Sequence, residues 1–196
     1  MTEWWTYRLS SFLMFSPQVY WRLVERYNQA WWPVQALALL AGFALLLLLR
    51  SGTTGAARAA LLVLALAWGW VGWAFHAQRY GEIFLGAPWL AGAFAVEASL
   101  LALAAAWPPR AGGATPHRLA GVLLALALLY PLLAPLTGHG WSEAEVFGFM
   151  PEPTALATLG VLAGVRSLPR GLRAVLAVIP LLSLLLGAAT RWLVAQ

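Results

Sequence analysis

The chain has 196 residues, of which 62% are hydrophobic and only 10% charged. A soluble domain carries about 25% charged residues, so this chain has too little charge to cover a water-facing surface. It lacks cysteine, which excludes disulfides, iron–sulfur clusters and thiolate metal sites. The net charge of +5 resides on Arg residues placed singly or in pairs at the ends of apolar runs, since Lys and Asp are absent. That spacing suits membrane orientation and contact with anionic lipid, and gives no nucleic-acid surface.

Residues 1–31 form an aromatic segment in which Trp4, Trp5, Tyr7, Phe12, Phe15, Tyr20, Trp21 and Tyr27 interleave with Arg8, Arg22 and Arg26. No basic stretch precedes a short apolar core, so this is not a cleavable signal peptide. Ser16-Pro17 is an N-cap followed by Pro at the first helical position. It predicts a helix over 17–29 lying in the membrane interface, or alternatively a lid over a binding site.

Residues 32–194 read as one transmembrane domain. Apolar runs near 20 residues predict spans at about 32–49, 59–76, 84–107, 119–136 and 172–194. A further run at 153–165 is 13 residues long, short for a bilayer that asks for about 20. It must recruit 147–152, tilt little or be re-entrant. The expected fold is therefore all-α: a polytopic helical bundle of about six spans with an amino-terminal amphipathic helix.

Counting Arg by loop gives five (Arg8, Arg22, Arg26, Arg79, Arg191) on the amino-terminal face and seven on the other. The positive-inside rule then puts the amino terminus outside a prokaryotic inner membrane. Every Glu except Glu97 falls on the outer face, as do 11 of the 12 Trp.

Glu97 lies in mid-span, where a carboxylate is penalised by about 2.5–3.5 kcal/mol. It reads as a proton or cation relay, or as a neutral group that fixes helix packing. His76 and His139 both fall toward the outer face. Imidazoles suit Zn, Cu, Ni or Fe, and Glu143, Glu145 or Glu152 would complete a donor set. The metal candidates are thus His76, His139 and Glu152, with a divalent transition metal as the implied cofactor; turn capping and interfacial hydrogen bonding are the plainer reading. His117 is a solvated loop residue. Trp68, Trp70 and Trp73 with Trp31, Trp32, Trp89 and Trp141 make either an aromatic box for a soft cation or an interfacial belt. Gly160 and Gly164 match GxxxG, a weak signal in a chain so rich in small residues. No phosphate-cradling loop, nucleophile triad or dinucleotide fingerprint is present.

Three stretches resemble an uncharacterised family of small prokaryotic multi-span membrane proteins: YNQAWWP at 27–33, the aromatic before His76, and GHGWSEAEVFGFMPEPTALATLGVL at 138–162. The resemblance implies fold and membrane placement but no activity, and it singles out Tyr27, Asn28, His76, His139, Pro151, Pro153 and Thr154. This chain departs from the family pattern at Glu152, where a Cys stands between the two prolines, and a carboxylate there hardens any metal site.

The leading expectation is a small permease-like transporter for a cation or small solute. Its path comprises Glu97, His76, His139, Glu152, Tyr27, Asn28 and Trp73, and no catalytic set is assigned. Two alternatives stand beside it: an accessory subunit of a membrane complex, and a metal-, haem- or quinone-binding oxidoreductase. Expected partners are the lipid bilayer and either further copies of the chain or a membrane complex.

Overall fold

The computed structural model describes residues 16–107 and 118–194. The aromatic residues before Ser16, and Arg110 and His117 in the 108–117 connection, lie outside them. Helices dominate: α1 Pro17–Ala30, α2 Val34–Ser51, α3 Thr54–Trp70, α4 Ala87–Ala106, α5 Arg118–Leu129, the one-turn α6 Leu133–Leu136, α7 Pro151–Gly164 and α8 Arg170–Val194. A π-helical segment, Val71–Ala77, continues α3.

Among the described residues five helical stretches are long and apolar enough to cross a membrane: Val34–Ser51, Thr54–Glu82, Ala87–Ala106, Arg118–Leu136 and Arg170–Trp192. Their outward faces carry large apolar side chains. Leu37, Leu40, Phe43 and Leu47 on α2, and Val175, Val178, Leu181 and Leu185 on α8, are all exposed. Apolar stripes of that extent are stable against lipid and not against water. The architecture is that of an integral membrane helical bundle.

Local signals explain the turns. Gly52 takes a left-handed conformation (φ 70°) to end α2, and the Thr53 side chain accepts from the Ala56 N–H at 3.1 Å to begin α3. At the same end of the bundle Arg58 donates to the Trp107 carbonyl and Arg173 to the Leu162 carbonyl, both at 3.4 Å. Cations there meet the free carbonyls of helix C-termini.

α7 is the centre. It packs on α5 and α8 and reaches α3 and α2, leaving only Leu156, Leu159 and Ala163 partly uncovered along one seam. Its 14 residues extend about 21 Å, short of a hydrocarbon core of about 30 Å. Residues 144–150 make up the difference as a wholly buried, largely non-helical run. Irregular backbone at membrane depth survives only inside protein, and here all seven residues are buried. Gly160 permits the close α5 contact, since a Cβ there would stand 3.1 Å from the Ala120 carbonyl, so the GxxxG spacing marks a real crossing.

The buried start of α7 also satisfies most of its hydrogen-bond demand. Such a helix start leaves four N–H groups without intrahelical partners. The Met150 N–H reaches the Val146 carbonyl at 3.0 Å, and Pro151 and Pro153 have none to satisfy. Thr154 finishes the turn: its Oγ1 accepts from the Gly148 N–H at 2.9 Å and donates to the Met150 carbonyl at 2.7 Å. Gly148 has φ +74°, a conformation that suits glycine alone at this tight bend.

Candidate functional site

Five segments meet at the α1 end of the bundle. The buried run delivers Glu145 and the first turn of α7 delivers Glu152, both nearly inaccessible. From α8, Arg191 donates through Nη2 to Glu145 Oε2 and stands 3.7 Å from Glu152 Oε2. The Tyr20 hydroxyl, from α1, donates to Glu145 Oε1 at 3.3 Å. The Tyr130 ring, just past α5, lies 5.1 Å from the guanidinium carbon. One cation thus faces two buried carboxylates.

Burial holds the phenols of Tyr20 and Tyr27 well above their usual range.

Glu152 has its place because residue 187 is glycine. A Cβ at Gly187 would come within 2.7 Å of both Cγ and Cδ of Glu152, and closer still to Oε1. Gly187 and Arg191 are four residues apart, on one face of α8.

Arg191, Tyr20 and Thr190 form a wall between two cavities. The first, about 200 Å³, is lined by Phe75, His76, Tyr80, Phe94, Ser183 and Glu152 among others. The second, about 300 Å³, is bounded by Trp21, Tyr130, Thr137, His139, Glu143 and Glu145.

His76 is only 4% exposed, and neither ring nitrogen has a hydrogen-bond partner. Its ring stands edge-on to Phe94 at 4.5 Å. The π-helical segment that carries it is a form that recurs at functional sites.

Of the residues expected to share a path, His76 and Glu152 do line one cavity. His139 lies across the Arg191–Tyr20 wall in the other, 3.2 Å from Glu143 and with its ring tilted against that of Trp21 at 3.9 Å. Among the described residues no three His, Cys, Asp or Glu side chains cluster to hold a metal ion. The expected donor set of His76, His139 and Glu152 is not assembled, because the wall separates the two imidazoles.

Glu97 is fully buried, both its oxygens unpartnered, on the α4 face shared with Phe94 and Leu101. One turn past Phe94, it falls outside both cavities described above.

Tyr27 and Asn28 are braces. Asn28 Nδ2 donates to the Ser142 and Ala144 carbonyls at 2.8 and 2.9 Å, and its own carbonyl accepts from Gln35 at 2.7 Å. The Tyr27 hydroxyl accepts from Trp70 Nε1 at 3.1 Å. Trp73 is half exposed and joins Trp31 and Trp70 in an edge-to-face cluster. Trp68 turns inward to donate to Thr158 at 2.8 Å, while Trp32, Trp89 and Trp141 are exposed. The seven indoles therefore form no common box.

A family profile matches residues 17–194, running from the first residue of α1 to the last of α8. The chain belongs to the family of unknown function DUF6064. No curated protein and no solved structure matches it, so the family name brings no activity, and the chemistry rests on the residues themselves. In this DUF6064 chain Tyr27 and Asn28 tie α1 to Trp70 and to the Ser142 and Ala144 carbonyls, and the Pro151-Glu152-Pro153-Thr154 turn presents Glu152 to the first cavity. Sequence reasoning passed over Arg191, Gly187, Tyr20 and Tyr130. The available signal was Gly187 four residues before Arg191, a small residue and a cation on one face of an otherwise apolar helix.

Proposed function

We propose that this protein is a small permease-like transporter of a prokaryotic cytoplasmic membrane, handling a small organic cation at the Glu152–His76 cavity. The observation that carries the reading is Glu152 Oε2, buried and without a hydrogen-bond partner beside a cavity walled by Phe75, Tyr80 and Phe94. A carboxylate set among aromatic faces attracts an ammonium group from both sides, through charge and through the ring quadrupoles. Arg191 does not oppose this, because Glu145 takes up its charge. At about 200 Å³ the cavity is smaller than drug-sized pockets of roughly 300–1,000 Å³, which favours a cation of tetramethylammonium size.

Orientation follows from charge. Arg50, Arg58, Arg118, Arg166, Arg170 and Arg173 gather at the end opposite α1, with no described acidic residue beside them, so that end faces the cytoplasm. A cysteine-free chain makes this simple to check: single cysteines at Gln18 and Arg166 should label from outside and inside, respectively.

The functional test is binding and uptake of methylammonium, tetramethylammonium and choline by purified protein and by proteoliposomes. At least one should bind and accumulate above protein-free vesicles, with both effects lost in Glu152→Gln. Failure of all three to bind or move would end the cation reading.

A further inference from the structure

The charges around Arg191 do not cancel if both carboxyls are ionised: two carboxylates face one guanidinium. Among the described residues the neighbouring elements offer no second cation. On α1, Tyr20 is the inward group, while Arg22 and Arg26 are exposed and Glu25 half-buried. The loop contributes His139 and Glu143, which pair with each other at 3.2 Å. Past α3, His76 and Tyr80 face the first cavity, and Arg79 pairs with Glu82 at 3.7 Å. The α4 residues on that cavity (Leu90, Ala93 and Phe94) are uncharged, and α5 leads only to Tyr130. Two carboxylates sharing a buried site cannot both ionise without a large penalty.

Hydrogen bonding favours Glu152 as the carboxyl that keeps the proton. Glu145 accepts from both Arg191 and Tyr20, and both bonds favour its ionised form. Glu152 stands 3.7 Å from Arg191 with Oε2 unbonded. We propose that the empty site carries one proton on Glu152 and that an arriving cation displaces it, making the protein a cation–proton exchanger.

This rests on the cation reading above. The step balances simply: the Glu152 O–H bond breaks, the ammonium takes the proton's place against the carboxylate, and one proton leaves for each monovalent cation bound. No electrons move.

Calorimetric titration of tetramethylammonium into the detergent-solubilised protein, repeated in buffers of different ionisation enthalpy, measures that proton directly. About one proton per bound cation is expected near neutral pH. In Glu152→Gln the release should vanish along with most of the affinity. In Glu145→Gln, Glu152 inherits Arg191 and ionises, so the release should fall towards zero. Infrared spectra of the cation-free protein should show a protonated-carboxyl band that Glu152→Gln removes.

Tetramethylammonium binding without proton release, or with undiminished release in Glu152→Gln, would overturn the exchange and leave the cation reading standing. Absence of binding would remove the cation reading and the exchange with it.

Discussion

Replacing Gly187 with Ala tests the packing on which the site depends. The new methyl would stand within 2.7 Å of Glu152 Cγ and Cδ, well inside ordinary contact, and both partners are held by helix backbone. Overpacking of this kind costs about 1–3 kcal/mol. If Glu152 is also driven from Arg191, the loss approaches the 3–5 kcal/mol typical of breaking a buried ion pair. Without the Glu152 side chain the obstruction is gone. Gly187→Ala should then be neutral, or stabilising by up to about 1 kcal/mol, because Ala is the better helix former. A double-mutant cycle with Glu152→Ala therefore predicts that the destabilisation disappears or reverses, with a coupling of about 1–4 kcal/mol. Tryptophan fluorescence during denaturant unfolding in mild detergent reads each corner of the cycle. Equal destabilisation by Gly187→Ala in both backgrounds would refute the contact and the placement of Glu152.

Asn28→Asp replaces a double donor with an acceptor facing the Ser142 and Ala144 carbonyls. It should cost about 1–3 kcal/mol or more and speed proteolysis of α1. Thr158→Val leaves the Trp68 indole N–H without its partner and should cost about 1–3 kcal/mol in the same unfolding assay. Burial raises the phenols of Tyr20 and Tyr27, so the folded state keeps those protons to a higher pH than the unfolded chain does. Their contribution to stability is complete below the ordinary phenol value of about 10 and is lost as pH climbs above it. Phenolate absorbance should accordingly rise together with unfolding, and early titration of these two residues in folded protein would contradict their burial.

The spans were legible because hydropathy is local. The expected 17–29 helix appears as Pro17–Ala30, and the runs at 32–49 and 119–136 match α2 and α5–α6 within a few residues. The short run at 153–165 is α7, which begins at Pro151; of the options open for it, recruitment of 147–152 comes nearest, and the buried run starts still earlier, at Ala144. Glu152 and His76 could be singled out because a polar group in greasy surroundings is conspicuous. Arg191 could not, since an Arg at the end of a span reads as an anchor and its partner is 46 positions away. His76 and His139 looked alike in sequence because both sit near the same membrane face. Only the position of α1 and α8 decides that a wall divides them. Asn28 and Tyr27 were noticed through the family pattern, but their bracing role depends on where Ser142, Ala144 and Trp70 come to rest.

The wholly buried run before α7 also constrains how the protein is made. Seven residues of mostly irregular backbone cannot partition into lipid unaccompanied, since each unsatisfied polar group there costs several kcal/mol. This part of the chain must wait for its surroundings, and α8 is the last of them to be synthesised. Until α8 has emerged nearly to its end, Glu145 has no guanidinium and Glu152 has no groove at Gly187. The last turns of α8 thus complete a site whose first carboxyl was made 46 residues earlier, and a chain cut short of Arg191 would carry two unanswered carboxyls into the membrane.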